Sequence, residues 1–207
     1  MKNIKYLIQL LVLGSIILAT SCKKDSENIS KTTYYPVFTY NGDHFISIPI
    51  GGTFTDPGVT ALLDGKDWPI TKTGSVDIST PGVYRISYSS INPDSFSISD
   101  YRYIGIIDPG AASKDLSGKY FRTSNGDSAF VTKIAPGLYL DSNVGGSPGF
   151  EIPVFFFQTT DSTIEVPLQT TLAGSLQCAN AELTATGFQW VVINGNFGTS
   201  TRVFEKQ

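Results

Sequence analysis

Apolar residues follow two different patterns along this chain. From Tyr6 to Ala19 they are almost unbroken (YLIQLLVLGSIILA), whereas from Val37 onward they alternate with polar residues. A spacing of two is that of a strand with one buried face. Ile46, Ile48 and Ile50 share a face of the stretch His44 to Ile50, and Tyr84, Ile86 and Tyr88 share a face opposite Arg85 and Ser87. Strands are also predicted at Val37 to Tyr40, at Val59 to Leu63 and over Phe96 to Ile107. Asn41-Gly42 has the chemistry of a two-residue hairpin between the first two strands. Asp56-Pro57-Gly58, Asp64-Gly65, Pro81-Gly82 and Asn92-Pro93-Asp94 supply further turns. Seven short strands between Tyr34 and Asp108 predict a small β-sandwich.

Pro109 to Lys114 interrupts the pattern and reads as a linker. A second run of strands follows from Asp115 to Gln207. Leu116 to Thr123 leads through Asn125-Gly126 to Ser128 to Ile134, then to Gly137 to Asp141 and the glycine-rich loop Asn143 to Gly149. Ile152 to Phe157 (IPVFFF) is apolar on both faces, which predicts a central strand. Ile164, Val166 and Leu168 alternate with Glu165 and Pro167, and a proline predicts an edge. Phe188 to Ile193 and Phe197 to Phe204 read as a hairpin through Asn194-Gly195. The expected fold is all-β: an N-terminal sandwich over 34–108, a linker over 109–114 and an antiparallel barrel or sandwich over 115–207.

The unbroken apolar run belongs to a different element. Lys2 and Lys5 precede it, and the small residues Ala19-Thr20-Ser21 follow it, directly ahead of Cys22. Basic, apolar and small in that order is an export signal over 1–21, too short for a spanning helix. The cysteine in that place resembles the lipobox of bacterial lipoproteins, in which the signal is cut before a cysteine that carries the lipid. Residues 22–33 are then a lipidated polar tether, which spans at most about 35 Å over Lys23 to Thr32 when extended. Lys23-Lys24-Asp25 is similar to the start of many Bacteroidetes lipoproteins. That resemblance implies an outer-membrane location on the cell surface, with the periplasmic face as the alternative.

Three blocks carry a second resemblance: Gly52 to Ala61 (GTFTDPGVTA), Gly74 to Asp77 (GSVD) and Ser79 to Tyr88 (STPGVYRISY). In order and spacing they resemble the bacterial surface immunoglobulin-like domain also found in pesticidal crystal proteins, over about Tyr34 to Asp108. The likeness departs after Tyr88, where Ser89 to Ser95 (SSINPDS) replaces an aspartate and a Gly-Asn turn. The opening LSGKYFR and the closing GNFGTSTRVFEK of the second part are similar to small accessory lipoproteins beside outer-membrane glycan importers of Bacteroidetes. This resemblance implies glycan utilisation, with an oligosaccharide and importer proteins as partners.

Composition removes several other functions. The net charge is −3, and removing Lys2 and Lys5 with the signal makes the mature chain more acidic. No basic patch exists for nucleic acid. His44 is the lone histidine, and no Gly-x-Ser-x-Gly elbow or phosphate loop accompanies it. No catalytic residue, metal or cofactor is therefore expected, and the chain reads as a non-enzyme. Asp56, Asp64, Asp67 and Asp77 crowd the first loops, where calcium would suit them and turn capping suits them better. Cys178 is left without a cysteine partner and reads as a buried inert thiol. Aromatic residues make up 12% of the chain, and an exposed ring can stack on a sugar. The expected ligand-binding residues are Trp68, Tyr139, Asp141 and Asn143, the last three beside the loop Asn143 to Gly149. The alternative function is a structural accessory or adhesin without a small-molecule site.

The anchor generates the first prediction. Cys22→Ala removes the sulfur that would carry the lipid, so the variant should leave the membrane fraction or accumulate as an uncut precursor. Fractionation and maturation identical to the parent protein would end the lipoprotein reading.

Overall fold

The computed structural model describes residues 32–207. The signal, Cys22 and most of the tether lie outside the described residues. Among the described residues, no helix is long and apolar enough to cross a membrane.

The first part contains β1 (Val37–Tyr40), β2 (Phe45–Pro49), β3 (Val59–Leu63), β4 (Lys66–Asp67), β5 (Thr71–Thr73), β6 (Gly82–Ile91) and β7 (Ser97–Ile107). They form two sheets, in the orders β1-β3-β4 and β2-β7-β6-β5. β1 and β2 do not pair, which corrects the hairpin expected at Asn41-Gly42. β1 pairs antiparallel with β3, while β2 runs parallel to β7. The turn instead carries the chain from one sheet to the other. Its Asn41 N–H donates to Gly58 O at 3.2 Å and its side chain to Pro57 O at 3.3 Å, which fasten it to the next loop. Ile86, Tyr88, Ile104 and Ile106 fill the space between the two sheets, with Phe38, Tyr40, Ile48 and Val59 packed around them. The inward alternation of Tyr84, Ile86 and Tyr88 is as expected.

Arg102 is also in this core and fully buried. Such a charge is tolerated only when every donor is met. Its Nε donates to Asp43 O at 2.9 Å, and its other nitrogens donate to Asn41 O at 2.6 Å, to Gly58 O at 3.3 Å and to the Tyr88 hydroxyl at 2.9 Å. Its ion pair is with Asp56. Burial resists the Asp56 charge, but hydrogen bonds from Lys72, Tyr88, Gly58 and Arg102 outweigh it and hold the carboxyl at about 2.

The segment expected as a linker is a helical turn, α1 (Pro109–Ser113), capped by Asp108, whose carboxylate accepts from Gly110 N at 2.7 Å. Its Ala111 is fully buried. Nine strands follow: β8 (Gly118–Arg122), β9 (Ser128–Ala135), β10 (Leu138–Asp141), β11 (Val154–Gln158), β12 (Ile164–Glu165), β13 (Gln169–Thr171), β14 (Gly174–Leu183), β15 (Gly187–Ile193) and β16 (Arg202–Lys206). They make one antiparallel sheet in the order β12-β11-β10-β9-β8-β16-β15-β14-β13. The sheet curls into a half-barrel, and a bridge from Thr163 to Glu182 brings its β12 end back to β14. Its inside is packed with rings, among them Tyr120, Phe156, Phe188, Trp190 and Phe204.

β11 lies next to the edge strand β12, not at the centre of the sheet. Its two-sided apolarity has another cause. Val154 and Phe156 face the half-barrel core, while Phe155 and Phe157 face β7 and α1, packing with Tyr103, Ile107, Ala111 and Leu138. The outer face of β11 is thus buried by the first part of the chain, and Tyr35–Gln207 form one compact unit. Gly105 on β7 makes the contact close. A β-carbon there would collide with the Phe157 ring, which is itself fully buried and has no room to retreat. Ser47 adds a hydrogen bond from its hydroxyl to Pro136 O across the same junction.

Gly105→Ala should therefore destabilise the protein by about 1–3 kcal/mol through overpacking alone. Urea unfolding would measure it, and Gly105→Ala combined with Phe157→Leu should recover part of the loss by freeing space.

Candidate functional site

Strand alternation decides what the junction exposes. Tyr101 and Tyr103 stand on the face of β7 that looks away from the sandwich core, since Arg102 and Ile104 take the inner face. Phe45 on β2 lies opposite Tyr103 in register. Phe155 comes up from β11. These four rings form a ladder, with centroids 6.2 Å apart from Tyr101 to Tyr103, 5.8 Å from Tyr103 to Phe45 and 4.6 Å from Phe45 to Phe155. The last two pairs are stacked.

The ladder is the floor of a cleft of about 950 Å³, within the size range of small-molecule sites. The wall from the first part carries Asp43, His44, Ser99 and Asp100. The wall from the half-barrel carries Ile134, Leu140 and Leu172 together with Gln169, Thr170 and Ser175. His44 lies against Tyr40 with ring centroids 3.5 Å apart. Gln169 is held rigidly, because its side chain pairs with both backbone groups of Phe155 at 2.9 Å, as an extra strand residue would. Asp100 accepts from Tyr101 N at 2.8 Å. On the far side, the Arg85 guanidinium lies 4.7 Å from the Tyr101 centroid and lines a neighbouring cavity of about 410 Å³.

The residues expected to bind a ligand lie elsewhere. Tyr139, Asp141 and Asn143 are all fully buried, and this corrects their expected role. Tyr139 points into the half-barrel and stacks on Phe156 at 5.2 Å, with its hydroxyl donating to Lys114 O at 3.0 Å. Asn143 spends its amide on Asp127 at 2.9 Å and on Ser128 O at 3.2 Å. The loop that follows is a plug: Trp190 donates to Val144 O at 2.8 Å and Arg122 to Gly145 O at 3.0 Å. A β-carbon at Gly145 would meet the Phe197 ring and one at Gly146 the side chains of Arg122 and Phe204. Trp68 is half-buried and does not join the cleft; its ring nitrogen donates to Ile91 O at 2.8 Å.

The cleft residues missed at the sequence level left one usable signal. The outer-face aromatics Tyr101, Tyr103, Phe155 and Phe157 break the usual polar-out rule, and only a covered or binding face explains such a run. Of the loop aspartates, Asp56 is occupied by Arg102 and Lys72, and Asp77 accepts from Ser79 N at 2.9 Å and Thr80 Oγ1 at 2.8 Å, as a turn cap does. Among the described residues, no group of His, Cys, Asp or Glu is placed to hold a metal ion. Burial pushes the Cys178 thiol far above its ordinary range, which suits an inert group.

The family model described as "Bacterial surface protein, Ig-like domain" matches residues 38–106. The fold is accordingly all-β, an immunoglobulin-like sandwich followed by a curled half-barrel. No curated protein matches the chain. Among solved structures, a lipoprotein of Bacteroides thetaiotaomicron is similar at 24% identity, covering 84% of this chain and 100% of that one, with a TM-score of 0.37. That superposition is too loose to define a shared arrangement.

Asp141 gives a pH prediction. Its Oδ1 accepts from Asn143 N at 3.1 Å, but among the described residues its Oδ2 meets no hydrogen-bond geometry. Burial pushes the carboxyl from 3.8 up to about 7. The unfolded chain sheds this proton first, so stability should fall as pH rises from about 4 to about 7 and then level off. Asp56, held low, acts in the opposite direction below about 4. Denaturation midpoints against pH should show both slopes, and Asp141→Asn should flatten the upper one only.

Proposed function

We propose that this chain is a non-catalytic glycan-binding protein of the cell surface, anchored by lipid on Cys22, that takes an oligosaccharide into the cleft between its two parts. The ring ladder of Tyr101, Tyr103, Phe45 and Phe155 carries the reading. Sugar rings have an apolar face that stacks on aromatic side chains, and their hydroxyls need acceptors and donors at the edges. Asp43, Asp100, Ser99 and Thr170 provide these along both walls. The site is largely formed before any ligand arrives, because Gln169 is locked to β11 and Phe45 is held between two rings.

The walls also argue against hydrolysis. A glycosidase places two carboxyl groups on either side of the bond it cuts. Here both carboxylates, Asp43 and Asp100, belong to one wall, from the turn before β2 and from its neighbour β7, and the opposite wall supplies only amide, hydroxyl and apolar groups. An importer in the outer membrane is the partner that such a binding protein would serve, with the oligosaccharide handed on uncut.

Titration calorimetry at millimolar oligosaccharide suits a shallow open site, for which binding is worth only about −4 kcal/mol. Tyr101→Ala should weaken binding about tenfold through loss of stacking, and Trp68→Ala should leave it unchanged. Binding that survives Tyr101→Ala in a folded protein would place the site elsewhere, and no binding across a broad neutral and charged panel would favour the adhesin reading. Incubation with the bound oligosaccharide should release no product.

A further inference from the structure

The charge in the cleft is one-sided. Asp43 and Asp100 stand along one wall, and among the described residues no lysine or arginine lines the cavity on either side. His44 lines the same wall. Arg85 is the nearby cation, and it lies over the Tyr101 ring and lines the neighbouring cavity instead. On the half-barrel wall, Gln169 cannot turn a donor toward a ligand, because its amide nitrogen already donates to Phe155 O at 2.9 Å and Pro167 O at 3.2 Å.

Building on the glycan-binding reading, we propose that Asp43 and Asp100 are specificity-determining residues that restrict the cleft to uncharged sugar chains and turn away uronic-acid and sulfated ones. A neutral chain offers hydroxyl donors that two carboxylates accept, and its ring faces meet the ladder. An acidic chain brings carboxylates beside two negative charges with, among the described residues, no lining lysine or arginine to offset them. Like charges a few ångströms apart repel. The attractive and repulsive elements are therefore the same two side chains, a common way to combine affinity with discrimination. The exclusion weakens with salt, because the cleft is open to solvent and its charges are screened.

A matched pair of probes tests this. A neutral hexaose that binds the wild-type protein is oxidised at its primary hydroxyls to the uronic-acid form, which keeps linkage and length. Calorimetry should show the oxidised chain binding at least about tenfold more weakly at low salt, with the gap narrowing at about 1 M salt. The Asp43→Asn/Asp100→Asn protein should bind the neutral chain more weakly, having lost two charged acceptors, and the oxidised chain no more weakly than the wild type does, so that the ratio between the two falls toward one. Equal or tighter binding of the oxidised chain by the wild type overturns the charge filter while leaving the glycan site standing. A gap that persists unchanged in the double variant also overturns it, since the discrimination then comes from shape. If no neutral hexaose binds, the glycan reading itself fails, and the filter fails with it.

Discussion

The contact of the Phe157 ring with the bare backbone of Gly105 sets the geometry of everything around it. It brings β11 against β7 closely enough for Ala111 and Leu138 to close the seam. It also aligns Phe155 with Phe45 so that the ring ladder runs from one part into the other. Were the two parts a little further apart, Phe45 and Phe155 would no longer stack and the cleft would lose its floor. The site exists because two faces that would each be polar in an isolated domain are apolar here.

The sandwich meets this junction as a rigid block because of Arg102. One guanidinium ties the turns at Asn41, Asp43 and Gly58 to Tyr88 at the sheet centre. This gives the Asp56-Pro57-Gly58 block a physical meaning. Asp56 supplies the counter-charge, and Gly58, at φ +84°, turns the backbone so that its carbonyl can accept from the same arginine. The cleft wall inherits that rigidity, since Asp43 lies directly on the anchored turn and Tyr101 and Tyr103 flank Arg102 on β7.

Local patterning made much of the fold legible. Five of the seven strands of the sandwich were visible in alternation and turn chemistry, the short β4 and β5 were not, and Pro167 marked an edge. Partners at a distance were not visible. Asn41-Gly42 announces a sharp turn, but whether the next strand folds back or crosses to another sheet depends on the loop at Gly58. IPVFFF is apolar on both faces for either of two reasons, a central position or a covering partner, and the sequence does not separate them. Tyr139 and Asp141 could have been placed inside by period two, since they share the inward face with the core of β10. A glycine-rich loop between them and solvent suggested a ligand, when its purpose is to plug the half-barrel under Trp190. The cleft was the least legible feature, because its walls are drawn from Asp43 through Ser175 and no motif joins them.

Immunoglobulin-like sandwiches are commonly regarded as exchangeable beads on a string. The bare backbone at Gly105 argues otherwise for this one. A sandwich bearing a side chain at that position seats poorly against a half-barrel that carries phenylalanine at 157, so recombination between relatives would cost stability unless both positions travelled together. A larger residue at 105 would be accommodated best by a smaller ring at 157. Selection would then favour keeping the sandwich and the half-barrel together, and covariation of these two positions would be its record.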